Sequence, residues 1–499
     1  MGGRLVSMGI NLAAQVLIVR YLSRTDFGAF SYALAMAELS ASFCVLGLDK
    51  SVARFGAEAH EQRDAARFFG GVLFSLGAIL VFGLVPVGAA LLFRGRLAEW
   101  LHAEPQAITL LLILLVIGPV LALDAILTAV FGVLTQARAI FLRRHLLGPG
   151  LRLAAILLTM AISGSALFLA KAYVVAVFAG LAVYLLLLRS TLGADQLVRA
   201  WREKPLVWEI RRHLGYGLVM LCSDLVFLFQ NGFVVLVLEY YRSGEEVAGF
   251  RAIQPFARLN QVVLATFLVL FFPLLSRLME RGDREGVRHV IHETASWVAL
   301  FSFPVFAITF GGADWISTHV LGEEYRDTAT PLALLALGLF ANATLGLGAV
   351  TLKVLGRLKT IITIDFLWLI AAGVASALVA PRWGVLGLVV VVDGLLVLHG
   401  LTCLAVLRRR EGLSLFERGK LDVHLTLFVA TAALVASRFV LPRTLGIQVF
   451  SVALSLCIVA LAARRAGSIG VVFPELLRVS VLGPFLGRKV VRPSGGAGE

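Results

Sequence analysis

The sequence predicts an all-α, polytopic membrane protein of about fourteen transmembrane helices, each needing about 20 apolar residues to span the bilayer. Three observations carry this. Hydrophobic residues make up 59% of the 499 positions and charged residues only 15%, with a mean hydropathy of +0.91, whereas soluble domains average about 25% charged. Apolar runs of spanning length recur from Leu5 to Ala463. Lys and Arg, the source of the net charge of +14, cluster in the short links between those runs, as the positive-inside rule requires.

Taken in order, the runs predict spans at 5-22, 28-48, 70-93, 107-132, 145-162, 165-188, 214-238, 248-275, 294-312, 329-350, 361-380, 384-406, 422-441 and 445-463. The first ends in Arg20-Tyr21-Leu22 without a small-residue cleavage site, so it is read as a retained span and not a signal peptide. Glu58, Glu61, Arg63, Asp64 and Arg67 suggest an amphipathic cytoplasmic helix on the membrane surface or a solvated helical face. The heaviest basic segment, 189-213, carries Arg189, Arg199, Arg202, Lys204, Arg211 and Arg212. It is expected in the cytoplasm together with both termini, in a chain of the cytoplasmic membrane. The tail, 464-499, mixes Val, Leu and Phe with Arg478, Arg488, Lys489 and Arg492, a composition suited either to anionic lipid or to disorder.

Two halves align at an offset of about 220 residues, as an internal duplication would. Tyr21 to Phe30 (YLSRTDFGAF) faces Tyr241 to Phe250 (YRSGEEVAGF), and Pro86 faces Pro304. The predicted organisation is a six-span bundle at 1-188, a cytoplasmic linker at 189-213, a second six-span bundle at 214-406, two additional spans within 407-463, and the tail. A parallel duplication places a substrate site between the halves.

Span 8 carries the most informative polar residues. At about 100° per residue, Arg251, Gln254, Arg258 and Gln261 fall within roughly 80° of helix surface, and that face cannot meet lipid, where each arginine costs about 2.5–3.5 kcal/mol on insertion scales. It implies a water-filled cavity, an anionic partner, or a structural network between helices. The duplication relates Asn11 to Asn231, Glu38 to Arg258, and Asp124 to Asn342, which makes Glu38 and Arg258 a natural charge pair unless each satisfies neighbours in its own half.

Other chemistries are poorly supported. Basic residues are explained by topology, so no nucleic-acid partner is expected. Cys44, Cys222, Cys403 and Cys457 lie within apolar runs without CxxC spacing, and His289 and His292 sit among arginines, so neither a disulfide framework, a metal nor any other cofactor is expected.

Residues 1-410 resemble the polysaccharide and oligosaccharide flippases of the multidrug/oligosaccharidyl-lipid/polysaccharide (MOP) exporter superfamily. The resembling segments are Arg20-Tyr-Leu-Ser-Arg-Thr-Asp-Phe-Gly28, Leu46-Gly-Leu-Asp-Lys-Ser-Val-Ala-Arg54, Phe272-Pro-Leu-Leu-Ser276 with Gly282-Asp283, Gly322-Glu-Glu-Tyr325, Leu355-Gly-Arg357 and Pro381-Arg-Trp-Gly-Val-Leu-Gly387. The resemblance implies two bundles around a cavity lined by spans 1, 2, 7 and 8 that opens alternately to either side, and a polyprenyl-diphosphate-linked sugar as substrate. Peptidoglycan-precursor flippases of the superfamily place arginines on spans 1, 2 and 8 and an acid on span 2. By position these resemble Arg20 or Arg24, Arg54, Arg258 and Glu38.

On this reading Arg20, Arg24, Arg54, Arg251 and Arg258 anchor a diphosphate, while Asn11, Gln15, Asn231, Gln254 and Gln261 bind sugar hydroxyls. The partners are then a lipid-linked oligosaccharide, membrane lipids, and the polymerase and glycosyltransferases of surface polysaccharide synthesis. A cation-coupled multidrug exporter of the same superfamily is the alternative that Glu38, Asp124 and Asp224 keep open. A membrane glycosyltransferase or polymerase would need a larger external domain than 313-328 provides.

Overall fold

The computed structural model describes residues 2–96, 105–162, 164–192, 206–415, 421–442 and 444–465, with the side chains of 222–233 and a few helix-end residues excepted. Among them the chain is helical and without strands: α1 (Gly2–Tyr21), α2 (Arg24–Val45), α3 (Leu48–Glu61), α4 (Ala65–Leu92), α5 (Pro105–Leu114), α6 (Ile117–Val133) and α7 (Ala137–Phe141). A π-helical turn (Leu142–Leu147) leads into α8 (Gly148–Ile162), followed by α9 (Ala166–Leu192), α10 (Ile210–Tyr241), α11 (Gly244–Glu280) and α12 (Arg284–Gly311). The rest are α13 (Ala329–Leu345), α14 (Leu347–Val354), α15 (Leu358–Glu411), α16 (Leu421–Val440) and α17 (Leu445–Arg465). Eleven helical stretches among the described residues are long and apolar enough to span a membrane, and Val6–Tyr21 is a shorter apolar helix. With α10 and the division of α15 at Gly384, they account for the fourteen predicted spans.

The helices depart from the predicted spans where backbone chemistry interrupts them. Leu46 and Gly47, with φ of 50° and 66°, bend α2 into α3, so the second span continues to Glu61 instead of stopping near 48. Residues 49–61, with Glu58 and the exposed Glu61 among them, continue that bent stretch. They form α3, which packs on α4, α6 and α10 and buries Leu48 and Val52. The fourth span breaks between α5 and α6 because Pro119 has no N–H for the Leu115 carbonyl, which accepts from Gly118 at 3.0 Å instead. The fifth begins at Ala137, and Arg143, which lies in the predicted link, is buried, while Arg138 and Arg144 are exposed.

Packing divides the chain into two compact units, Met1–Pro255 with Gly373–Leu388, and Phe256–Ala372 with Val389–Glu499. In unit 1, α2 packs on α4, α5, α6 and α10, and α9 on α5, α6 and α8. Cys44, Leu48, Phe68, Ile79, Ile126 and Val130 form one buried cluster there. In unit 2, α12 packs on α13, α16 and α17, with the rings of Phe306 and Phe340 stacked at 4.7 Å. The guanidinium of Arg438 on α16 meets Asp314 at 2.6 Å and donates to the carbonyls of Phe310 and Ala329. Gln448, just inside α17, donates to the same Asp314 oxygen at 2.9 Å. Asp314, which matched no motif in the sequence, therefore ties both additional spans to the body of unit 2.

Candidate functional site

Three levels of polar chemistry follow α2 and α3 through unit 1. At the first, the segments related by the duplication meet: Ser23 caps α2 by accepting the Asp26 N–H, and Arg24 donates through Nε to the Glu245 carbonyl at 3.2 Å. Gly28 lies so close to the Gly244 carbonyl that a Cβ there would collide with it. Beside them, Glu246 accepts from Arg242 at 2.8 Å and from the Val385 backbone N–H at 2.9 Å, while Arg242 also donates to the Pro381 carbonyl at 3.4 Å. Gly384 makes this possible: its φ of 52° and ψ of −140° suit glycine almost alone, and a side chain would occupy the place of the Glu246 carboxylate. The turns α1–α2 and α10–α11 and the break in α15 thus form one closed polar cap.

About 20 Å along α2 from Arg24, at 1.5 Å per residue, Glu38 marks the second level. There Arg251 of α11 is the centre of a group of polar side chains. Gln15 of α1 donates through Nε2 to the Arg251 carbonyl at 3.2 Å, and Arg251 donates to Gln254 Oε1 at 3.3 Å. Gln254 is 7% exposed, and the buried Arg251 Nε has no hydrogen-bond partner in the structure. A half-buried arginine whose buried Nε has no partner is a poor purely structural element, because unmade hydrogen bonds of charged groups are costly. It is well suited to an anion. The structure thus brings Gln15, Arg251 and Gln254 together, while Glu38 is exposed on α2.

At the third level, Arg54 on α3 is exposed, with its guanidinium 4.8 Å from the Tyr216 ring centroid on α10. Stacking on a ring leaves the guanidinium edge available for phosphate-type bonding. Below it, Glu58 pairs with Arg212 at 2.7 Å and Arg67 with Glu209 at 3.1 Å, tying α3 and α4 to the start of α10.

Asn11 and Arg20 are exposed on α1. Arg258 and Gln261 are half-buried on the part of α11 that belongs to unit 2. The side chains of Asn231 and Asp224, and the segments 193–205 and 466–499, lie outside the described residues. Asp124 pairs with Arg143 of the π-helical turn at 2.8 Å, and Arg143 lies 5.5 Å from the Tyr184 ring, whose hydroxyl is 3.3 Å from Thr128 Oγ1. Sequence reasoning missed Arg143, Arg242 and Glu246 as members of these networks. Only Glu246 left a signal, through its alignment with Asp26.

A family model described as polysaccharide biosynthesis protein matches residues 1–279. Among curated proteins nothing matches the sequence. Of solved structures, the lipid II flippase MurJ in an inward closed conformation is similar with a TM-score of 0.71 at 12% identity, over 95% of this chain and 99% of that one. An inward-facing multidrug resistance MATE family transporter of the MOP superfamily is similar with a TM-score of 0.68 at 14% identity, over 81% and 94%. A MOP superfamily transporter from Pyrococcus furiosus reaches 0.50 at 14% identity, over 82% and 92%. At such identities the structural likeness speaks for the fold.

Proposed function

This chain belongs to the polysaccharide biosynthesis protein family, within the MOP superfamily of membrane transporters and flippases, and we propose that it moves a polyprenyl-diphosphate-linked oligosaccharide across the cytoplasmic membrane by alternating access. The observation that carries the reading is the cluster of Gln15, Arg251 and Gln254, a half-buried arginine with a buried, unsatisfied Nε set among amides. A diphosphate offers oxygens in the geometry a guanidinium recognises, and a glycan offers hydroxyls that amides bind. Arg54, Arg251 and Arg24, at successive levels, give the diphosphate stations along a path, with Arg20, Arg258, Gln261, Asn11 and Asn231 as further candidates. The cap around Glu246 is then the external gate, the termini and 189–213 are cytoplasmic, and the glycosyltransferases and polymerase of surface polysaccharide synthesis work on either side.

Energetics favour the direction. With about 100 mV across the membrane, negative inside, each negative charge moved outward gains about 2.3 kcal/mol, so two uncompensated diphosphate charges gain roughly 4 to 5. The test is purified protein in vesicles carrying a labelled lipid-linked oligosaccharide, with an impermeant glycosidase reporting the exposed leaflet. Protein-dependent transfer of intact glycan to the other leaflet is expected. A glycan protected to the same extent with and without protein overturns the reading, and a glycan altered in mass makes the chain an enzyme.

A further inference from the structure

One face of unit 1 holds a lateral groove of about 990 Å³, walled by Leu39 and Phe43 of α2, Phe82 and Val85 of α4, and Phe93, with Arg96 at one end. Its volume lies at the upper end of the roughly 300–1,000 Å³ of ligand pockets. Phe43, Phe82, Val85 and Phe93 are 46 to 61% exposed, so these side chains line open space and are not packed on one another. From Phe82 to Leu92, α4 rises about 15 Å, half of the roughly 30 Å hydrocarbon core. The groove is therefore one leaflet deep. Arg96 follows the end of α4 with Arg94 beside it, where the leaflet's headgroups begin, and among the described residues neither has an ion-pair partner.

We infer that this groove is a binding site for an anionic phospholipid, with one acyl chain along α2 and α4 and the phosphate on Arg96. The single-leaflet depth fits an acyl chain, whereas a polyprenyl chain is several times longer. The paired arginines favour a headgroup of net negative charge, because a zwitterionic lipid would bring its own ammonium beside them. The site is separate from the Gln15–Arg251–Gln254 cluster and does not depend on the proposed substrate.

Native mass spectrometry of the purified full-length protein, titrated with phosphatidylglycerol or phosphatidylcholine of the same chains, tests it. The wild type is expected to retain phosphatidylglycerol about fivefold better, the factor expected for one basic residue facing an anionic lipid. Arg96→Gln should lower that preference severalfold without changing phosphatidylcholine retention. Ala89→Trp, which fills the groove from α4, should lower retention of both. Where Ala89→Trp fails to fold, the exposed Val85→Trp replaces it. Unchanged retention in the filled variant removes the groove as the site, and an unchanged preference in Arg96→Gln removes the arginine as the phosphate ligand. Displacement of phosphatidylglycerol by polyprenyl phosphate from the wild type, but not from the filled variant, assigns the groove to a prenyl chain and overturns the proposal.

Discussion

Glu246 and Val385, distant in sequence, are joined by a 2.9 Å hydrogen bond from the Val385 backbone amide to the Glu246 carboxylate, which also holds Arg242 at 2.8 Å. Hydrogen bonds to charged groups contribute about 1.5–3 kcal/mol, and 1.4 kcal/mol is a factor of ten. Glu246→Ala is therefore expected to raise the population open at this end by about tenfold or more. In a cysteine-free background, a Gln15→Cys probe should react about tenfold faster with an impermeant thiol reagent from outside. Gly384→Ala should act in the same direction, since its Cβ would displace the carboxylate. Unchanged labelling in both variants would show that the contact does not gate the path.

Asp124 was a candidate coupling acid, and its pairing with Arg143 gives a test that separates coupling from structure. The two side chains are 23% and 10% exposed. Removing one partner of such a buried pair typically costs about 3–5 kcal/mol, because the other charge is left uncompensated. Arg143→Met should lower thermal stability markedly, and Asp124→Leu/Arg143→Met should recover most of it. If the double variant is stable and transports normally, Asp124 has no coupling role. A stable but inactive double variant gives it one.

The sequence made the fold legible because the bilayer leaves few alternatives: apolar length sets the spans and basic residues set their links. The bends were harder to read. Leu46 sits in a left-handed conformation that no propensity favours, and the packing of α3 on α4, α6 and α10 accompanies it. In the site, the polar face of α11 was readable because its residues share one helix. The partners of Asp124 and Glu246 come from other helices, and their pairing depends on tertiary placement that helical periodicity does not encode. Arg143 looked like a link residue until the π-helical turn carried it inside.

The two C-terminal spans give a stability prediction. Arg438, 8% exposed, pairs with Asp314 at 2.6 Å and shares that acid with Gln448. Asp314→Ala leaves the guanidinium buried against Phe310, at a cost of about 3–5 kcal/mol. Limited proteolysis between α15 and α16 should then proceed at least tenfold faster, while Arg438→Met in the same background should restore resistance. Equal cleavage in wild type and Asp314→Ala would mean that other contacts hold α16 and α17.

The last prediction concerns the arginines of α11. If they bind a diphosphate, geometry matters as well as charge: a planar guanidinium forms two parallel hydrogen bonds where an ammonium acts as a point charge. Arg251→Ala and Arg258→Ala should each lower transport by at least about tenfold, or about 1.4 kcal/mol of binding, and the lysine variants should keep part of it. The competing account is that an arginine merely neutralises Glu38, in which case each single variant leaves an uncompensated acid and also fails. Double variants separate the two. The duplication pairs Glu38 with Arg258, and Arg251 shares the polar face of α11 with Arg258, so Glu38→Ala is combined with each arginine in turn and assayed by complementation at matched membrane abundance. Recovery in Glu38→Ala/Arg251→Ala makes Arg251 a charge partner and leaves the anchor role to Arg258. Recovery in Glu38→Ala/Arg258→Ala does the reverse. Both double variants inserted, folded and inactive is the outcome expected of phosphate anchors, because removing the acid restores no donor to the substrate.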